Sequence, residues 1–135
     1  MTRDAEIQAP AKRSPLIYVV DDQEIFAEVV AAILRSEDYE TATFESGEAA
    51  VEALKRNSRK PDLILTDYLM PGMNGMELII KCRTMVQGVR TVLFSGQVDD
   101  KVVAKYAVRP DRFVRKPFEP TVLLDLIAEL RRSPS

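Results

Sequence analysis

Five short strand-like runs constrain this chain more than any other feature. They are Leu16–Val20, Glu40–Phe44, Leu63–Leu65, Thr91–Phe94 and Arg112–Arg115. Between and after them apolar residues recur at intervals of three and four, the mark of amphipathic helices. Phe26, Val29, Val30, Ile33 and Leu34 form one such stripe; Ala50, Val51 and Leu54 form a second, behind a capping Ser46. Leu78, Ile79, Cys82 and Val86 follow Gly75, and a shorter segment holds Val102, Val103 and Tyr106. Leu123, Ile127 and Leu130 line a last helix that begins near Glu119 with Pro120 in its first turn. Strands that alternate with helices, joined by short right-handed crossovers, require a doubly wound parallel α/β sheet. Leu63-Ile64-Leu65 is apolar throughout, as befits a strand buried on both faces.

Every strand but the second ends in a residue able to do chemistry: Asp21 and Asp22, Asp67, Ser95, and Lys116. In a parallel sheet these ends share one edge, where α/β folds bind their ligands. With strand order 2-1-3-4-5, the first and third strands lie side by side, and Asp21, Asp22 and Asp67 converge. Three carboxylates that close repel one another and call for a cation. Hard oxygen ligands, few in number, suit Mg²⁺ (or Mn²⁺) better than Zn²⁺ or a Ca²⁺ cage. The hydroxyl of Ser95 and the ammonium of Lys116 are partners for a phosphoryl group rather than for a metal. The set therefore points to a carboxylate nucleophile that forms an acyl phosphate. Each residue singly would pass as a cap or a surface charge; their joint placement would not.

Composition narrows the alternatives. A chain of 135 residues makes one domain. Its formal net charge of −2 gives no case for nucleic-acid or membrane binding. The lone cysteine, Cys82, excludes an internal disulfide and fits the reducing cytoplasm. Histidine is absent, which removes Ser-His-Asp and Cys-His catalysis and any phosphohistidine on this chain. Residues 1–14 mix charges and small residues without a period, as a flexible leader would.

From Leu16 to Arg132 the sequence resembles the receiver domain of two-component response regulators. The resemblance rests on Val20-Asp21-Asp22, on Asp67-Tyr68-Leu69-Met70-Pro71-Gly72-Met73-Asn74-Gly75, on Phe94-Ser95-Gly96 and on Phe113-Val114-Arg115-Lys116-Pro117-Phe118. It implies the flavodoxin-like (βα)5 fold, with one receiver domain over 15–135 and no output domain. It also implies that Asp67 is the phosphoacceptor, and that Asp21, Asp22 and the backbone carbonyl of Leu69 join Asp67 in holding Mg²⁺. Ser95 and Phe113 would be the switch pair, and Lys116 the phosphate-binding lysine before a cis Pro117. The implied partners are a sensor histidine kinase or histidine phosphotransfer protein and a downstream protein, with no nucleic acid or membrane bound by this chain. Such a domain accepts a phosphoryl group and loses it by hydrolysis, without turning over an external substrate.

Rival readings fit less well. An Asp-nucleophile phosphohydrolase usually carries a second Asp two residues after the nucleophile, where this chain has Leu69. A flavin module would need a Ser/Thr/Gly-rich phosphate loop where Asp21-Asp22 stands. A degenerate receiver used as a scaffold would not keep all five key positions. Ile25 and Phe26, in the first turn of the first helix, are expected to meet the kinase together with Phe118 and Pro120, at least one of the first two being exposed. The chain departs from the family at Arg109-Pro110, where a helix-capping glycine is usual. With few apolar anchors, Val98 to Asp111 is expected to be a mobile output region.

Overall fold

The structure is a computed structural model and describes residues 14–96 and 99–132. The expected leader lies outside these residues except for Ser14. The chain runs β1 (Leu16–Val20), α1 (Glu24–Arg35), β2 (Glu40–Phe44), α2 (Gly47–Arg56), β3 (Leu63–Asp67), α3 (Gly75–Met85), β4 (Arg90–Ser95), α4 (Asp99–Val103), β5 (Arg112–Arg115) and α5 (Pro120–Arg132). The five strands form one parallel sheet in the order 2-1-3-4-5. The expected fold is therefore the observed one.

Alternate side chains of the central strands go to opposite faces, so both faces must be covered. Ile17, Val19, Leu63, Leu65, Val92 and Phe94 pack with Ala27, Val30 and Leu34 of α1 and Leu123, Ile127 and Leu130 of α5. On the other face Tyr18, Val20 and Ile64 pack with Ala50, Val51 and Leu54 of α2 and Leu78 and Cys82 of α3. Leu93 joins Met76, Ile79 and Val103 in a smaller cluster beneath α4.

Two details correct the sequence reading. Val29 was expected in the inward stripe of α1, but it is 51% exposed. The inward face is Ala27, Val30, Ala31 and Leu34, and its two alanines let the helix lie close to the sheet while Val29 falls outside that arc. Tyr106 was expected on α4, but the helix stops at Val103, and Val102 on it is exposed. The amides of Lys105 and Tyr106 bond the carbonyls of Val102 and Val103, three residues back, which tightens the chain out of α geometry. The Tyr106 hydroxyl then accepts from Asn74 Nδ2 at 3.1 Å, which ties the turn to the start of α3.

Candidate functional site

β1 and β3 pair side by side, with Val20 opposite Thr66, so Asp21 and Asp22, just past β1, meet Asp67, the last residue of β3, at the sheet's C-terminal edge. There one carboxylate oxygen each from Asp21, Asp22 and Asp67 lies within 4.8 Å of the other two. Asp21 is buried. Its Oδ1 accepts from the Gln23 amide at 2.8 Å, and its Oδ2 accepts from Lys116 Nζ at 3.3 Å. The same ammonium is 3.1 Å from Asp67 Oδ1. Lys116 is placed by β5, whose pairing with β4 continues in the bond from the Lys116 amide to the Ser95 carbonyl at 3.1 Å. The following peptide, Lys116-Pro117, is cis. Ser95 lies buried at the end of β4.

Burial pushes the Asp67 carboxyl above its ordinary range; the Lys116 ammonium pulls it back down, and the Asp21 carboxylate adds to the rise. The site thus holds more negative charge than one lysine neutralises. A cleft of about 470 Å³ lined by Asp22, Gln23, Asp67, Leu69, Met70 and Pro71 adjoins the carboxylates. Three converging carboxylates, with room for water and no nitrogen or sulfur donor among them, fit a small hard divalent cation such as Mg²⁺ or Mn²⁺.

The loop after β3 is held from two sides. Gly72 has φ +75°, and a Cβ there would stand 2.7 Å from Glu48 Oε2. That Glu48 oxygen accepts from the Met73 amide at 3.0 Å, so the first turn of α2 clamps the loop. Asn74 then caps α3. Its side chain accepts from the Glu77 amide at 2.9 Å, and Glu77 accepts from the Asn74 amide at 2.8 Å. The backbone at Gly75 touches that of Asp67, since a Cβ on Gly75 would lie 2.2 Å from the Asp67 carbonyl oxygen.

The remaining predicted residues are more dispersed. Phe113 is 42% exposed, and with Ser95, Arg109 and Arg115 it lines a cavity of about 420 Å³. Ile25 is 81% exposed in the first turn of α1, Leu69 exposes its side chain, and Pro120 is exposed at the start of α5. Phe26 and Phe118 are half-buried, with ring centroids 6.0 Å apart, and both pack on Phe94. Sequence reasoning missed the Glu48 clamp, for which no local signal exists. It also missed the α3 capping box, which the Asn74-x-x-Glu77 spacing does show.

An acidic cleft with a lysine, at the strand-order switch point of a doubly wound sheet, defines a receiver-type domain. Residues 17–128 match the family described as the response regulator receiver domain. The DNA-binding response regulator MtrA of Mycolicibacterium smegmatis is 36% identical over 121 residues, covering 87% of this chain and 51% of that protein. A putative two-component response regulator of Arabidopsis thaliana is 33% identical over 107 residues, covering 79% of this chain and 17% of that protein. Among solved structures, a CheY-like receiver domain protein of Methanospirillum hungatei superimposes with TM-score 0.76 at 26% identity, covering 87% of this chain and 94% of that one. TrrA of Thermotoga maritima, solved in complex with Mg²⁺-BeF, gives TM-score 0.75 at 28% identity, covering 86% of this chain and 98% of that one. The chain belongs to the response regulator receiver domain family of two-component systems. It spans about half the length of the MtrA proteins it matches. Among the described residues, no helix is long and apolar enough to cross a membrane.

Proposed function

We propose that Asp67 accepts a phosphoryl group from a phosphohistidine on a sensor histidine kinase or histidine phosphotransfer protein, and that the domain relays the change to a downstream protein. The observation that carries this reading is the convergence of Asp21, Asp22 and Asp67 within 4.8 Å, with Lys116 at 3.1 Å from Asp67. A carboxylate oxygen of Asp67 attacks phosphorus; the new O–P bond forms as the N–P bond breaks, and the imidazole leaves with the electron pair. Lys116 and the Ser95 hydroxyl receive phosphoryl oxygens. Asp21, Asp22, Asp67 and the Leu69 carbonyl would hold Mg²⁺ (or Mn²⁺), which when bound offsets charge on the phosphoryl group. Hydrolysis of the acyl phosphate resets the domain, with no external substrate turned over. The position two residues after Asp67 is Leu69, which supplies no general acid and so disfavours a small-molecule phosphohydrolase.

Output arises from movement of Ser95 toward the phosphoryl group. The cavity shared by Ser95 and Phe113 gives the half-exposed ring a place to turn into, and α4 repacks as two pre-existing states exchange population. The partners are proteins; any DNA contact of the kind the MtrA name implies lies outside this domain's own surface chemistry. A histidine-kinase partner and the lone, free Cys82 suit the cytoplasm.

A beryllofluoride titration with Mg²⁺, followed by amide NMR, tests the assignment of Lys116. The wild type shifts at Asp67, Ser95 and Lys116, whereas Lys116→Ala stays folded and loses the response. Wild-type shifts in Lys116→Ala would remove Lys116 from the site. The docking surface is proposed to be Ile25 with Phe26, Phe118 and Pro120, because Ile25 exposes a large apolar side chain in the first turn of α1, three residues after Asp22. Ile25→Ala slows transfer from the kinase and spares labelling by acetyl phosphate; equal slowing of both counts against docking.

A further inference from the structure

The ammonium of Lys116 stands over an aromatic ring. Its Nζ lies 4.0 Å from the centroid of Phe26, on the first turn of α1. The ring is itself held. It meets Phe94 of β4 edge-on at 5.6 Å and Phe118, just beyond β5, edge-on at 6.0 Å. Phe94 and Phe118 stack on each other at 5.4 Å. Two neighbouring rings, one on β4 and one just after β5, thus hold the Phe26 ring against the ammonium that also touches Asp67 and Asp21.

We propose that Phe26 is a positioning residue for phosphoryl transfer, its ring face holding the Lys116 ammonium where the phosphoryl oxygens arrive. This deepens the phosphoacceptor reading of Asp67 and rests on it. A lysine ammonium is a point charge on a flexible four-carbon stem, and it needs external constraint to stay in one place. The carboxylates of Asp21 and Asp67 supply two attractions, but both are the groups that a cation and the incoming phosphoryl engage. The attraction of the ring's negative face is independent of them. An aliphatic side chain of similar size would fill the same space among Phe94 and Phe118 and offer the ammonium no negative face. Lys116 is still partly exposed, so without the ring it has open solvent to swing into.

The test compares wild type with Phe26→Leu and Phe26→Tyr, all metal-free and unphosphorylated, through the ¹³C-labelled ε-methylene of Lys116. In wild type and Phe26→Tyr the ring current moves the ε-protons upfield of the other lysines; in Phe26→Leu that displacement is lost. Acetyl phosphate labelling with Mg²⁺ is then slower in Phe26→Leu by about threefold to thirtyfold, the span a cation–π contact accounts for between exposed and desolvated sites. Phe26→Tyr labels within about twofold of wild type, because the ring face is retained. The proposal is overturned if the wild-type ε-protons are not displaced, if folded Phe26→Leu labels at the wild-type rate, or if Phe26→Tyr is as slow as Phe26→Leu. If Phe26→Leu fails to fold, Phe26→Met carries the same comparison. A wild type that shows the displacement yet takes no phosphate overturns the phosphoacceptor reading, and the positioning role with it. A wild type labelled at Asp67 alongside an equally fast Phe26→Leu overturns the positioning role alone.

Discussion

Replacing Gly75 by alanine perturbs the site through its backbone. The added Cβ would lie 2.2 Å from the Asp67 carbonyl oxygen, 3.0 Å from the Asp67 carbonyl carbon and 2.8 Å from Leu93 Cδ1. Leu93 is fully buried and Asp67 is the last residue of a central strand, so neither neighbour yields as a flexible surface side chain would. Contact at ordinary van der Waals distance requires α3 and the end of β3 to part by about 1 Å, and overpacking of that kind costs about 1–3 kcal/mol. Alanine is the better helix former by about 1 kcal/mol at most, which offsets part of this. The net destabilisation is about 1–2 kcal/mol, or a fall in Tm of roughly 4–8 °C for a domain of this size. Because the displaced atoms carry the acceptor, labelling by acetyl phosphate falls by about tenfold to a hundredfold, as misplacements near 1 Å do in other sites. Circular dichroism melting gives the first number, and intact-mass kinetics well below both midpoints give the second. A Gly75→Ala protein with wild-type Tm and wild-type labelling would refute the close packing of α3 on the acceptor strand.

The same geometry sets three further outcomes. Folding raises the Asp67 carboxyl above its unfolded value, so the neutral acid favours the native state; that benefit is present below the unfolded value near 3.8 and is lost as pH rises through the folded one. Metal-free Asp67→Asn is therefore more stable than wild type at pH 7 and loses that advantage toward pH 3, and equal denaturation midpoints at pH 7 would contradict the burial of charge. Glu48→Ala, which frees the Met73 amide, weakens Mg²⁺ binding by about threefold to tenfold, the net worth of one solvent-exposed hydrogen bond, in a titration followed by thermal shift; unchanged affinity would leave the clamp without a role. Amide exchange over 99–111 is faster than over β1 and β3 in the unmodified protein and slows with Mg²⁺ and beryllofluoride, and protection equal to the central strands would move output to another surface.

The sheet was legible because its strands carry two separable signals. Leu63-Ile64-Leu65 is apolar throughout and ends on Asp67, and the structure sends its side chains alternately to both faces. The polar residues at the ends of β1, β3, β4 and β5 share an edge by topology alone, so the meeting of Asp21, Asp22, Asp67 and Lys116 could be read without coordinates. Val29 was misplaced because a valine and an alanine compete for the inward arc of α1, and periodicity counts hydrophobicity without asking how near the sheet the helix lies. Tyr106 was misplaced because its hydrogen bond to Asn74 is a long-range contact, absent from any local pattern. The contact of Phe26 with Lys116 was not legible for the same reason: its partners Phe94, Phe118 and Lys116 are distant in sequence, and only the folded sheet brings them to one ring.

The central claim is that Asp67 takes the phosphoryl group and needs a divalent cation to do so. Intact mass after incubation with acetyl phosphate tests it directly, with Mg²⁺ or with EDTA, on wild type and Asp67→Asn. The wild type gains the mass of one phosphoryl group with Mg²⁺ and none with EDTA, and Asp67→Asn gains none in either. Stable labelling of Asp67→Asn, or labelling of wild type in EDTA, would contradict the account.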